Sequence, residues 1–510
     1  MHICLINLPR YEIHRPPLSL ALLSEICNQE QVDYNCIDLS LLIWQKLPDD
    51  FETIDNYCIT QRIDPDTLQQ LKALIDHMVK QQLDCYPNTV FALSLLSVWS
   101  QPVCELVCAS IKAQSNCEIL LGGQGLANES WTQAQLARGL ADSYIINEAE
   151  ISFRQWLNGA RSEPGINNYN FEQIDNLDQH VVIPDYRKLP IDQYPYLDST
   201  SFFITASRGC VRNCAYCDIG YQWKNYRYRS AASVFQEMIT QFERHQVTDF
   251  FFTDSLINGS MKMLNELCDL LIEYRQNNPQ AQFTWQGQYI FRPRSSVNLN
   301  HIKKMAAAGL NFLVVGLETG SDRVRIDMNK KHTTDDAEWF LEEFKNHGIK
   351  CRLLMITGWI NETEQDHQET LQLFPRWQKY VASNTITGIE LGSTLSILEH
   401  APVALRVPDL GVEMLNNKGY LWFNPTNPDL TIAERMRRRI ETHRHAIQYH
   451  WPITRSLYRL STIKSNLLEA IEYLLANTDK RVVFPITQVK KTGSEEPVVK
   501  TRGGANQSPG

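Results

Sequence analysis

No run of apolar residues in this 510-residue chain reaches the length needed to cross a bilayer. The opening stretch, Met1-His-Ile-Cys-Leu-Ile-Asn-Leu8, is strand-like and lacks the basic start, apolar core and small-residue cleavage site of a secretory signal. A cytoplasmic protein without a membrane partner is the expectation. An excess of positive charge is also missing, since 58 acidic residues against 49 basic ones give a formal charge of -9. No overall field draws nucleic acid to such a chain, and nucleic acid is not expected as a partner. The 13 cysteines are odd in number and scattered, which fits reduced thiols plus a metal site rather than a secreted disulfide framework.

What is present is an ordinary globular composition, 43% hydrophobic, on a length that calls for two or three packed regions. Residues 1–150 alternate apolar strands (Ile3 to Leu8, Tyr34 to Leu39, Val90 to Leu96, Glu118 to Leu121) with amphipathic stretches such as Leu18 to Ile26 and Val103 to Ile111. This predicts a Rossmann-like parallel sheet covered by helices. The glycines of Leu121-Gly-Gly-Gln-Gly125 either let a ligand approach the sheet's carboxyl end or make a tight turn. Residues 151–200, rich in Pro, Asn and Asp, read as a linker. From 201 to 395 six strand–helix units recur, predicting a partial (β/α)6 barrel with its functional loops at the strands' carboxyl ends. Residues 396–480 read as a mostly helical region, with Met436, Ile440 and Ile447 on one helical face, and 481–510 as a disordered tail. The fold class is therefore α/β with a helical C-terminal region.

Cys210-Val-Arg-Asn-Cys214-Ala-Tyr-Cys217 follows the first barrel strand, where a loop can wrap its thiolates around one cluster. Three ligands for a four-iron cluster leave one iron open to a substrate's amine and carboxylate. Structural zinc is the competing reading, although it prefers four ligands in closely spaced pairs. The spacing, with aromatic Tyr216 before the last cysteine, resembles the radical S-adenosylmethionine (SAM) family over residues 201–395. That resemblance implies a [4Fe–4S] cluster on Cys210, Cys214 and Cys217, SAM chelated by the open iron, and an external electron donor.

Two further stretches resemble the family's cofactor loops: Thr253-Asp-Ser-Leu-Ile-Asn-Gly259 and Gly316-Leu-Glu-Thr-Gly-Ser321. They make Asp254, Ser255 and Glu318 the first expected SAM contacts, since an ammonium and ribose hydroxyls need carboxylate and hydroxyl partners. Helix capping is the plainer role for the same residues. Tyr216, Gln288 and Arg352 complete the expected cofactor contacts. In Tyr226-Arg-Tyr-Arg229-Ser230, strand alternation would turn Arg227 and Arg229 the same way, toward a carboxylate or phosphate or toward solvent.

Residues 1–150 resemble the cobalamin-binding-like domain of one branch of this family, through Asn7-Leu-Pro9, Pro16-Pro-Leu-Ser-Leu20, Gly122-Gly-Gln-Gly125 and the acidic strand end with Glu148 and Glu150. The Asp–x–His–x–x–Gly signature of a cobalt-ligating histidine is absent. Many members of the branch lack that histidine, so its absence does not decide whether cobalamin binds; cobalamin is a possible but not the favoured cofactor. Trp285-Gln-Gly-Gln-Tyr289 and Arg292-Pro293 resemble peptide epimerases that act on ribosomally made precursor peptides. That reading implies Cα hydrogen abstraction and return of hydrogen from a cysteine thiol. Outside the cluster the barrel offers Cys268, in an apolar helix pattern, and Cys351, which starts a strand and is the expected donor if it faces the lumen. The alternatives are a cobalamin-dependent C-methyltransferase and a zinc-stabilised peptide-binding protein.

Overall fold

The computed structural model describes residues 1–454, apart from 10–12, 147, 172, 198, 299 and 415–421. The helix expected beyond 454 and the tail at 481–510 lie outside the described residues.

The first domain is a sheet of five parallel strands, β1 (His2–Asn7), β2 (Asp33–Asp38), β3 (Thr89–Ser94), β4 (Ile119–Gly122) and β5 (Ser143–Ile145), in the order β2-β1-β3-β4-β5. Both faces are covered, which is why the inner strands β1, β3 and β4 carry continuous apolar runs, while the edge strand β2, with Asp33, Asn35 and Asp38, does not. Cys4 and Ile6 pack with α2 (Pro65–Cys85) and α3 (Gln101–Gln114) on one side. Ile3 and Leu5 pack on the other with α1 (Leu18–Gln29) and α4 (Ala149–Leu157). That second core runs without a break into the following domain, where it includes Phe202, Ile204 and Val234.

The second domain is a partial barrel of six parallel strands in sequential order: β6 (Ser201–Ile204), β7 (Asp249–Phe252), β8 (Thr284–Tyr289), β9 (Leu310–Glu318), β10 (Lys350–Thr357) and β11 (Ile386–Thr394). Its covering helices include α5 (Ala231–His245), α6 (Met261–Asn277), α7 (Thr334–Asn346) and α8 (Glu364–Arg376). Capping boxes start α7 at Thr333 and α8 at Thr363, each with an Asp three residues on. The strands begin where the apolar alternation places them, to within about two residues.

The first domain lies beside β6. Arg15, on the segment after β1, donates to Ser201 Oγ at 2.7 Å, with its guanidinium 5.3 Å and 4.9 Å from the rings of Phe203 and Phe251. At the other edge α9 (Ile432–Gln448) packs on α8 and β11, and Ile389 N donates to Pro452 O at 2.8 Å, so the chain after α9 covers the edge strand. The helical face differs from the predicted one. Ile440 is buried but Ile447 is exposed, and Arg435, Arg438, Thr442 and Ala446 are turned inward. Counting apolar residues misses this face because Arg438 is buried against Glu362.

Candidate active site

Beyond β6, Ser207–Arg208 pairs with Arg227–Tyr228 in a two-residue antiparallel ladder. Residues 209–226 between the rungs form the loop that carries the three cysteines. Gly209, at φ +83°, closes it: a Cβ there would stand 2.7 Å from Asn225 O. The loop is held from below, where Ala215 N donates to Met328 O at 3.0 Å and Val403 N donates to Ala215 O at 2.7 Å.

Cys214 is buried and Cys210 and Cys217 are half-buried. Burial raises the thiols of Cys210 and Cys217, the latter to about 11, and repulsion from Cys214 adds to both. Cys214 and Cys217 share one turn, Cys217 N donating to Cys214 O at 3.1 Å, and a bound cation would favour deprotonation of the thiols. Three thiols on one loop fit a [4Fe–4S] cluster with one open iron. A single zinc ion asks for converging ligands. Among the described residues no three His, Cys, Asp or Glu side chains, the three cysteines included, are gathered as a metal site, so the preference for a cluster rests on the cysteine spacing.

Glu318 ends β9 at φ +70°, a backbone conformation unusual for a residue with a side chain. Its Oε1 accepts from Tyr216 Oη at 2.6 Å and pairs with Lys330 Nζ at 2.8 Å, while Lys330 also donates to Gly316 O at 3.0 Å. A glutamate from the barrel is therefore tied to an aromatic of the cysteine loop. Lys330 was not among the expected residues. It follows the matched loop with no local pattern to mark it.

Asp254 is placed differently from expectation. It is buried, its Oδ2 accepts from Ala206 N at 3.0 Å, and its Oδ1 accepts from Ser207 Oγ. Both oxygens are spent on the base of the cysteine loop, so it supports that loop rather than presenting a free carboxylate to a cofactor. Burial raises its pKa to about 6. Ser255 beside it is half-buried.

The lumen is read from the strand registers. Phe203, Phe251, Gln286 and Phe312 align in one layer, and Gln288, Val314, Arg352 and Gly388 in another. Gln288 and Arg352 thus sit at the same level on neighbouring parts of the wall. Arg352 lies 5.7 Å from the Phe312 ring centroid and 3.9 Å from Glu390. Cys351 faces the other way. It is fully buried with Leu353 and Met355 in the core shared with Phe340, Leu341 and Phe344 of α7. This corrects the expected lumen donor: one residue of alternation puts Arg352 inside and Cys351 behind the wall. Cys268 is buried in the same core.

A second feature was not expected in this form. At the carboxyl ends of β3 and β4, between α1 and α4, lies a cavity of about 260 Å3 lined by Leu22, Ile26, Leu120, Ile145 and Phe153, among others. Gly122 also lines it; a Cβ there would meet only Ile145 O, at 3.8 Å, and would otherwise stand in open space. Glu148, Glu150, Arg208 and Trp223 also line it. A mostly apolar cavity at the carboxyl edge of a parallel sheet is where such folds take a ligand, and this lining suits an apolar or aromatic group.

Residues 204–374 match the Radical SAM superfamily. A curated relative, an uncharacterized methyltransferase PH0819 of Pyrococcus horikoshii, is 23% identical over 248 residues, 45% of this chain and 52% of the relative. The chain thus spans about half the length of that relative. Among solved structures, the radical SAM methyltransferase TsrM from Kitasatospora setae, with tryptophan and a SAM analogue bound, superposes with a TM-score of 0.59 at 14% identity, covering 80% of this chain and 76% of TsrM. The cobalamin-dependent radical SAM enzyme OxsB, with aqua-cobalamin and SAM bound, superposes with a TM-score of 0.63 at 16% identity, covering 94% of this chain and 76% of OxsB. At these identities the likeness concerns the fold. The segment from 204 to 374 is a radical SAM domain, whose cofactors are a [4Fe–4S] cluster and SAM, and it follows a first domain that shares its fold with TsrM and OxsB.

Proposed function

We propose that this protein is a corrinoid-dependent radical SAM enzyme that methylates carbon in a peptide substrate. The observation that carries the reading is the apolar cavity at the carboxyl edge of the first sheet, whose lining includes Arg208 and Trp223 of the cysteine-loop region. A cavity that would take one end of a corrinoid and shares residues with the cysteine-loop region supports two cofactors serving one lumen. Fold likeness to TsrM and OxsB supports the same choice.

When bound, the cluster and SAM supply a radical and the corrinoid supplies a methyl group. The chain's own residues do the rest. Cys210, Cys214 and Cys217 hold the cluster, Glu318 with Tyr216 and Lys330 lines the SAM side, and Gln288 and Arg352 offer an amide and a guanidinium to a substrate's carbonyls or carboxylates. The epimerase alternative needs a thiol on the lumen. Cys351 and Cys268 are both in the core, so among the described residues that donor is lacking.

The test is anaerobic co-production with precursor peptides encoded beside the gene, followed by corrinoid analysis of the protein and mass and chiral analysis of the peptide. A bound corrinoid and a product one CH2 heavier are expected. D-residues at unchanged mass, with no corrinoid on the protein, would overturn the proposal.

A further inference from the structure

Glu148 stands just after β5 and immediately before α4, and it is buried. Its Oε2 accepts from Ile174 N at 2.6 Å and from Arg227 Nη1 at 2.8 Å, and its Oε1 accepts from Arg227 Nη1 at 3.0 Å and from Arg208. Burial works against this carboxylate, yet Arg208 and Arg227 together hold its pKa below the ordinary value. Arg208 is further paired with Glu150.

These two arginines are paired across the ladder at the base of the cysteine loop, one on each side of it. Their guanidiniums lie 6.0 Å and 5.4 Å from the ring centroid of Trp223, which belongs to the same loop. Glu148, Arg208 and Trp223 also line the cavity of the first domain. One carboxylate is therefore part of the wall of one site and an anchor for both ends of the other. From the barrel side Asp254 holds the same base through Ala206 and Ser207.

We infer that Glu148 is a positioning residue that couples the first domain's cavity to the cysteine loop, so that a corrinoid in the cavity and SAM at the loop bind cooperatively. The inference rests on the corrinoid reading above. A ligand in the cavity confines Trp223, whose ring lies near both guanidiniums that Glu148 holds, and so orders the loop. The second ligand then meets a loop already ordered. Linkage makes the effect reciprocal: each ligand tightens the other by the same factor.

The experiment uses the full chain with its cluster reconstituted. The SAM dissociation constant is measured by equilibrium dialysis with and without saturating hydroxocobalamin, and that of hydroxocobalamin with and without SAM. Each should tighten by the same factor, about tenfold. Glu148→Gln and Arg208→Lys should bring that factor close to one, and should abolish any effect of hydroxocobalamin on the cluster's electron paramagnetic resonance response to SAM. A merely structural role would lower stability or both affinities and leave the factor intact. Hydroxocobalamin and SAM binding independently to the unaltered protein would overturn the coupling alone, as would an unchanged factor in either folded variant. Failure of hydroxocobalamin to bind at all would overturn the corrinoid reading itself and the coupling with it.

Discussion

The carboxylate of Glu318 folds back over Gly316, so that a Cβ built on the glycine would collide with Glu318 Oε1 and stand 2.9 Å from Lys330 Nζ. The glycine is what lets the glutamate, Lys330 and Tyr216 close together beside the cysteine loop. Gly316→Ala should therefore displace Glu318 and weaken SAM binding by about tenfold, equivalent to about 1.4 kcal/mol. Equilibrium dialysis on folded, cluster-loaded protein measures this. Unaltered SAM affinity in Gly316→Ala would separate Glu318 from the cofactor.

The five barrel cysteines should divide into two classes. Replacing Cys210, Cys214 or Cys217 by Ala should remove most of the iron, because a cluster already held by only three thiolates is left with two. Cys351→Ala should keep full iron content and SAM cleavage and lose about 1 kcal/mol of stability, the cost of a small void behind the wall. Iron analysis and denaturant unfolding decide the matter. Loss of inverted residues with SAM cleavage retained in a stable Cys351→Ala protein would return that thiol to the chemistry.

Much of this site is legible in the sequence, and the illegible parts share a cause. The cysteine spacing fixes the cluster loop locally, and the alternation of apolar strands with helices fixes both sheets. The face that β10 presents to the lumen is not local information, since Leu353 and Met355 on one side and Leu354 and Ile356 on the other are equally apolar. Only packing against Phe340 and Phe344 decides it, and it sends Cys351 to the core. Likewise Asp254 looks like an exposed polar turn until its partners, Ala206 and Ser207, arrive from another strand. The contact of Glu148 with Arg208 spans 60 residues and two domains. No periodicity could announce it.

Asp254 should leave a signature in the pH dependence of stability. Its folded pKa, raised to about 6 by burial, lies above the unfolded value near 4. In that window the native state binds the proton more tightly, so stability falls as pH rises through it and is level above. The span corresponds to about 3 kcal/mol. Asp254→Asn cannot ionise and removes this component. The variant should thus gain stability relative to the unaltered chain between about pH 4 and pH 7. A stability difference between the two that does not change with pH, in denaturant titrations, would contradict the assignment.

Two neighbouring arginines of α9 should respond in opposite ways to the same change. Arg438 and Glu362 are both buried, their side chains only 4% exposed, and Arg438 Nη1 donates to Glu362 Oε1 at 3.1 Å. Burial raises the Glu362 pKa while Arg438 opposes that rise. Arg438→Met would strand a buried carboxylate and should cost about 3–5 kcal/mol. Arg435 is buried just as deeply, 3.7 Å from the Trp422 ring centroid with Nη2 donating to Trp422 O at 2.9 Å, but its Nε and Nη1 have no partner among the described residues and burial lowers its pKa to about 10. Among the described residues no buried carboxylate depends on it. Arg435→Met, similar in length and apolar, should be neutral or stabilising by about 1 kcal/mol, because it removes an incompletely satisfied buried charge. Denaturant midpoints of the two variants, compared at one pH with equal cluster content, give the answer. A large loss in Arg435→Met would mean that the cation's contact with Trp422 outweighs its desolvation.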